Sequence, residues 1–192
     1  PSARDLLSRL SNEDLSNENF RFMRSRQMTV AGLDAKVVRV SFTGDLGYEI
    51  YVSEDEQVAL YQALLDAGQE LNVRPVGSRA LMSLRLEKGY GSWGREYSPE
   101  YWPQEVGLDR LIKLDKEEEF LGKQAYIDLK DRAPREKLVI LSVDTPHNAD
   151  PVGGEPIFSK AGAYIGRVSS GGSSYTTEQG LALGFLKAPF CE

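Results

Sequence analysis

Cysteine and histidine are almost missing from this sequence: its 192 residues hold one of each, Cys191 and His147. A lone cysteine excludes an intrachain disulfide and points to a reducing compartment. A histidine-rich metal centre has no ligand set to draw on. His147 lies in a polar, loop-like stretch, with no second histidine to support a triad. Cys191 has no histidine near it in sequence, which disfavours a thiol nucleophile. No metal site is expected. No apolar run reaches the length of a membrane span, and no secretory leader precedes the first periodic segment. The expected setting is the cytoplasm, or the mitochondrial matrix in a eukaryote, without a membrane partner. An excess of positive charge is also lacking. A formal net charge of −6 argues against capture of nucleic acid by charge alone.

What is present is a composition with 41% hydrophobic residues, enough for one large domain or two small ones. PSARDLLSRL opens with Leu6, Leu7 and Leu10 on one helical face. The polar stretch SNEDLSNENFRF follows, and residues 1 to 35 are expected to hold the least reliable local structure. Alternation then sets in. KVVRVSF places Val38, Val40 and Phe42 on one side, and GYEIYV places Tyr48, Ile50 and Val52 on one side. TGDLG between them reads as the turn of a hairpin, whose other face carries Lys36, Arg39, Glu49 and Tyr51. Val58, Tyr61, Leu64 and Leu65 then recur at helical spacing, with Gly68 as terminator. Ser78 is placed to cap a further helix, RALMSLRLEKG.

Residues 90 to 119, including YGSWGREYSPEYWPQE, are rich in aromatics, glycine and proline and show no period. Such a segment either lines a site or is a packed connector anchored by Trp93 and Trp102. From Lys137 the chain reads as sheet, with turns at Gly153-Gly154 and Gly171-Gly172. Short strands at this spacing predict a small C-terminal barrel, and RVSSGGSSYT is read as one of its corners. The predicted class is α+β: an antiparallel sheet with packed helices, then the barrel. The charged stretch LKDRAPREK sets the expected division, with residues 1–130 in one domain and 131–192 in the other.

Glu49 is the first candidate for chemistry. A carboxylate accepts two adjacent N–H donors side by side, as a 2-aminopyrimidinone ring presents them. Its plain alternative is a solvent-facing strand glutamate. Arg79 and Arg85 fall on different faces of one helix. Either could grip a carboxylate, or Arg85 could form an internal ion pair. The glycine-serine run at residues 167 to 176 lacks the spacing of a phosphate loop.

Four collinear segments carry a resemblance: FTGDLGYEIYV, SRALMSLRLEKGYGSWGRE, PQEVGLDRLIKLDKEEEFLGKQA and GRVSSGGSSYTTEQGLALGFL. Together they resemble the aminomethyltransferase (glycine cleavage T-protein) superfamily. LRLEKGY and WGRE lie nearest the folate-binding C-terminal half of dimethylglycine and sarcosine dehydrogenases. The resemblance implies a tetrahydrofolate site. Glu49 would hold the pterin, Arg79 would belong to the same site, and Tyr48 and Trp93 would wall the ring or its tail. Arg85 and Glu87 would be structural support. The reaction implied is transfer of a one-carbon unit from an N-methyl amine to tetrahydrofolate, forming 5,10-methylenetetrahydrofolate. A T-protein proper, another folate-dependent demethylase and a non-enzymatic scaffold remain alternatives.

Two departures follow from the comparison with that family. Its catalytic aspartate would precede Pro1, and its closing strands would follow Glu192, so the chain is expected to be a fragment that does not turn over alone. FAD would belong to an upstream domain of the parent protein. The remaining domains of the parent, or a second copy of the chain, would be its partners.

Overall fold

The computed structural model describes residues 2–145 and 149–191. His147 and the reading made of it lie outside the described residues. The chain divides into two compact units, Pro1–Leu81 and Met82–Glu192, each with its own sheet. No helix among the described residues is long and apolar enough to cross a membrane.

In the first unit, α1 (Ala3–Leu10) precedes β1 (Ser25–Val30), β2 (Leu33–Val38), β3 (Glu49–Tyr51) and α2 (Gln57–Ala67). The strands form an antiparallel sheet in the order β1-β2-β3, with β3 at an edge. The first hairpin turns at Ala31 and Gly32, whose φ angles of 53° and 82° match a two-residue primed turn. The helix expected at the start of the chain is thus formed as α1, and β1 is a strand that was not expected. Leu7, Leu15, Phe20, Met28 and Val30 from this stretch are buried in the unit's core. Phe22 and Met23 of the same stretch are exposed.

The second hairpin, β2–β3, forms as expected but with a shorter register, pairing Lys36 with Tyr51 and Val38 with Glu49. The buried side of β2 carries Ala35 and Val37 rather than Val38 and Val40. Because β2 ends at Val38, the later valine and Phe42 have no strand to alternate on. Tyr48, Ile50 and Val52 do pack against the core. In α2, Leu60 and Leu64 face that core, while Val58 and Tyr61 are exposed. Apolar residues occupy most of this helix's circumference, so period alone does not select the stripe the sheet takes. The helix stops at Gly68, where a Cβ would meet the Val73 side chain and the Leu64 carbonyl oxygen at 2.6 and 2.8 Å.

Helix α3 (Ser78–Glu87) runs across the division between the units. The second unit continues with α4 (Lys123–Leu129), β4 (Glu136–Val143), β5 (Pro156–Phe158), β6 (Tyr164–Ser174) and β7 (Gln179–Lys187). Its antiparallel sheet has the order β4-β7-β6-β5.

The predicted C-terminal barrel is not formed. Among the described residues β4 and β5 are the two edges of an open sheet. Closure requires the outermost strands to pair, and the three residues of β5 are too few to match the eight of β4. Pro156, which has no N–H to donate, suits such an edge.

The supposed corner at RVSSGGSSYT is also corrected, since β6 runs straight through both glycines. These residues allow close approach rather than a turn. A Cβ on Gly171 would lie 2.3 Å from the Pro151 carbonyl oxygen, whereas one on Gly172 would meet only the end of the Leu86 side chain, at 3.3 Å. We expect Gly171→Ala to destabilise the protein by about 1–3 kcal/mol through backbone overpacking. Gly172→Ala should cost clearly less. Urea unfolding of the two variants checks this, and equal losses would show that the backbone contact is not what excludes a side chain.

Candidate functional site

Strand alternation decides what β3 presents. Glu49 and Tyr51 lie two residues apart and share the outer face, where both are exposed. The Tyr51 hydroxyl donates to Glu49 Oε2 at 2.5 Å. This bond, and then the carboxylate's charge, push the Tyr51 phenol above its ordinary range. Oε1 of Glu49 has no hydrogen-bond partner among the described residues. Lys36, opposite Tyr51, completes the exposed face.

Tyr48, immediately before the strand, turns the other way. Its ring lies 5.8 Å from that of Phe20, and its hydroxyl is buried without a hydrogen-bond partner among the described residues. The structure therefore does not put Tyr48 on the same face as Glu49. Arg79, in the first turn of α3, is exposed and already engaged in an interaction. Tyr51 is the partner of Glu49 that a search for charge alone overlooks, although the two-residue strand period was enough to find it.

The second unit holds most of the buried charge. Arg85, on α3, is 1% exposed and Glu96 is 0% exposed. The guanidinium donates from Nη1 to Glu96 Oε2 at 3.3 Å and to the Tyr90 carbonyl at 2.9 Å, while its Nε is buried without a partner among the described residues. Oε2 also accepts from the Ser92 amide at 2.8 Å and the Ser92 hydroxyl at 3.2 Å. Oε1 accepts from Ser169 at 2.7 Å and Ser170 at 2.5 Å.

Consecutive strand residues ordinarily point to opposite faces. Here the register of β6 against β7 shifts between Val168 and Ser170, and this bulge aims both hydroxyls at one carboxylate. Burial is the strongest single influence on Glu96 and pushes its pKa up. Hydrogen bonds from Ser170, Ser92 and Ser169, with the charge of Arg85, together outweigh it and hold the carboxyl below its ordinary range.

A second buried carboxylate, Glu105, accepts from Arg135 Nε at 2.8 Å, Arg135 Nη2 at 2.6 Å and the Trp102 amide at 2.9 Å. Its pKa is lowered too. Burial, again the largest influence, raises it, and the bonds from Arg135 and Trp102 prevail. Glu87 reaches the turn after β6, accepting from the hydroxyls of Thr176 at 2.7 Å and Ser174 at 2.8 Å. The irregular segment is thus pinned by its carboxylates. Trp93 is 82% exposed and does not anchor it, whereas Trp102 lies 4.8 Å beneath the Arg135 guanidinium. Trp93 instead borders an apolar cavity of about 330 Å³, with Tyr97, Tyr101 and Val106 among its walls.

Glu96 and Glu105 both ionise more readily folded than unfolded. The stability they contribute is therefore complete above the ordinary carboxylate range and is lost as pH falls below that range through their lowered folded values. Glu96→Gln leaves Arg85 a buried, uncompensated cation, and should cost about 3–5 kcal/mol. Its stability should also fall less steeply than the parent's as pH drops below about 4.3. Urea unfolding at a series of pH values measures both. An unchanged acid slope would mean that Glu96 does not carry that dependence.

Comparison with known proteins gives a consistent set of matches. Residues 1–116 match the GCVT N-terminal domain, and residues 136–192 match the glycine cleavage T-protein C-terminal barrel domain. The chain is 36% identical over 192 residues to the mitochondrial dimethylglycine dehydrogenase of Homo sapiens, covering 100% of this chain and 22% of that protein. It is 34% identical to the aminomethyltransferase of Halothermothrix orenii, over 97% of this chain and 51% of the relative. The crystal structure of glycine cleavage system aminomethyltransferase T from Bartonella henselae matches with a TM-score of 0.78 and 25% identity, covering 95% of this chain and 48% of that one. The chain thus spans about half the length of the aminomethyltransferase and about a fifth of the dehydrogenase.

Proposed function

Because the chain belongs to the aminomethyltransferase (glycine cleavage T-protein) family, we propose that it is the tetrahydrofolate-binding portion of a one-carbon transfer enzyme. The observation that carries this reading is the carboxylate of Glu49, held by Tyr51 at 2.5 Å through one oxygen only. Its other oxygen is left to accept N–H groups. The donor chemistry fits the group, since a reduced pterin presents an amino group and a ring N–H side by side. A carboxylate meets that pair with two charge-assisted bonds.

Tetrahydrofolate, when bound, supplies the nitrogen that takes up a one-carbon unit at the oxidation level of formaldehyde. This chain's part is to bind and orient, which lowers the entropic share of the barrier. Glu49 fixes the pterin edge, and the Tyr51 hydroxyl fixes Glu49. Arg79 offers a cation to an acidic group of the ligand. None of these side chains is assigned a covalent role.

The one-carbon donor in this reading is an N-methyl amine, oxidised by a flavin domain elsewhere in the parent protein. The similarity to dimethylglycine dehydrogenase over the whole chain supports that choice. An aminomethyl carrier is the second reading, supported by the aminomethyltransferase match. The compartment would be the cytoplasm or the mitochondrial matrix.

Calorimetric titration of the chain with tetrahydrofolate, under reducing and anaerobic conditions, tests the reading. Glu49→Gln should weaken binding by about 1.5–3 kcal/mol, the worth of a hydrogen bond to a charged group. Absence of binding by the parent chain, or equal binding by the variant, would overturn the assignment.

A further inference from the structure

A cavity of about 540 Å³ lies wholly within the second unit, bordered by Arg95, Tyr101, Val152, Gly153, Gly154, Arg167 and Ser169 among others. Its charges are unevenly compensated. Arg167 is held by Glu136 through bonds of 2.8 and 2.9 Å, and by the Tyr101 hydroxyl at 2.8 Å. These use three of the guanidinium's donors and leave Nε–H and one Nη1–H unspent. Arg95, by contrast, is exposed and makes no side-chain hydrogen bond or ion pair with any described residue. Its charge is felt by Arg85, whose pKa is lowered mainly by burial and further by Arg95. Glu96 is engaged by its serines and Arg85, and Glu136 by Arg167, while the Glu155 carboxylate accepts, among the described residues, only from the Val152 amide at 2.8 Å. Arg95 is thus a cation at the cavity's border with no ion-pair partner among the described residues.

Its walls are mixed in character. Tyr101 stacks on Phe185 at 4.1 Å with the planes 12° apart, and Val152 and Val168 add aliphatic surface. The loop at Gly153–Gly154 supplies a wall without side chains. A Cβ on Gly153 would lie 2.6 Å from the Ser169 carbonyl oxygen, and Gly154 has a φ of +97°, a conformation that disfavours other residues. The volume is that of a small-molecule site.

We propose that this cavity binds a small carboxylate carried on a flat apolar ring, with Arg95 as the charged contact and Tyr101 with the valines as the apolar wall. The site is separate from Glu49 and does not depend on the folate reading. A cation with no internal partner is stabilised by a ligand that brings the missing charge, and the aromatic and aliphatic walls favour a ring over a bare ion.

Benzoate is the probe, titrated into the intact chain and followed by amide chemical shifts. Saturable shifts are expected at residues 93–101 and 152–154, and Arg95→Gln should weaken binding by about tenfold or more. Arg95 makes no side-chain hydrogen bond or ion pair among the described residues, so this variant should unfold at the parent's urea midpoint. Benzamide, of the same shape but uncharged, should not bind. The proposal is overturned if benzoate shows no saturable binding, if Arg95→Gln binds it equally, or if benzamide binds as well. Inorganic phosphate binding as tightly as benzoate would also overturn it, because the apolar wall would then contribute nothing.

Discussion

A carboxylate removed from water must be given hydrogen bonds and a cation, or it will take up a proton. Glu96 is given both. Its partners come from α3 through Arg85, from the irregular segment through Ser92, and from β6 through Ser169 and Ser170. Three parts of the second unit that share no periodic pattern are thereby tied to one side chain. A buried pair of this kind is a poor source of net stability compared with apolar packing, but it is intolerant of being half made. Its role here is to define where a segment without secondary structure must lie.

Glu105 repeats the arrangement further along the chain. It caps the backbone at Trp102 and receives the fork of Arg135, so the segment between the last turn of α3 and the first strand of the second sheet is held at two points. This explains how an aperiodic stretch keeps a definite course while leaving Trp93 largely in water.

Much of the secondary structure was legible in the sequence, and the reasons for the failures are physical. Helices α1, α2 and α3 and the β2–β3 pairing follow from period and from turn residues. The exposed face of β3, with Glu49, Tyr51 and Lys36 together, follows from strand alternation. What alternation does not convey is where a strand stops, which is why the inner face of β2 was misplaced. Nor does it tell an apolar stripe that packs from one that does not, as in α2. The barrel failed for a different reason. Glycine pairs in a β-rich stretch signal either a turn or a place where another backbone comes close, and Gly171 has Pro151 against it. The separation of Tyr48 from Glu49 was implicit in their being adjacent. The buried network was not legible, because partners as distant in sequence as Glu96 and Ser170 are brought together only by the fold.

The bulge in β6 has a bearing on how this sequence can change. Substitutions along a regular strand alter one side chain at a time, but a bulge makes the number of residues itself a structural variable. Deleting one residue near Ser169 would restore ordinary alternation and rotate a hydroxyl away from Glu96. The later positions, Ser174 included, would keep their partners on β7, because the pairing of Ser170 with Leu183 would then follow directly on that of Val168 with Gly184. An insertion in the loop at Gly153–Gly154 would carry no such phase. Length variation in this unit should therefore collect in its loops, with β6 held to a fixed count by the charge it helps to bury.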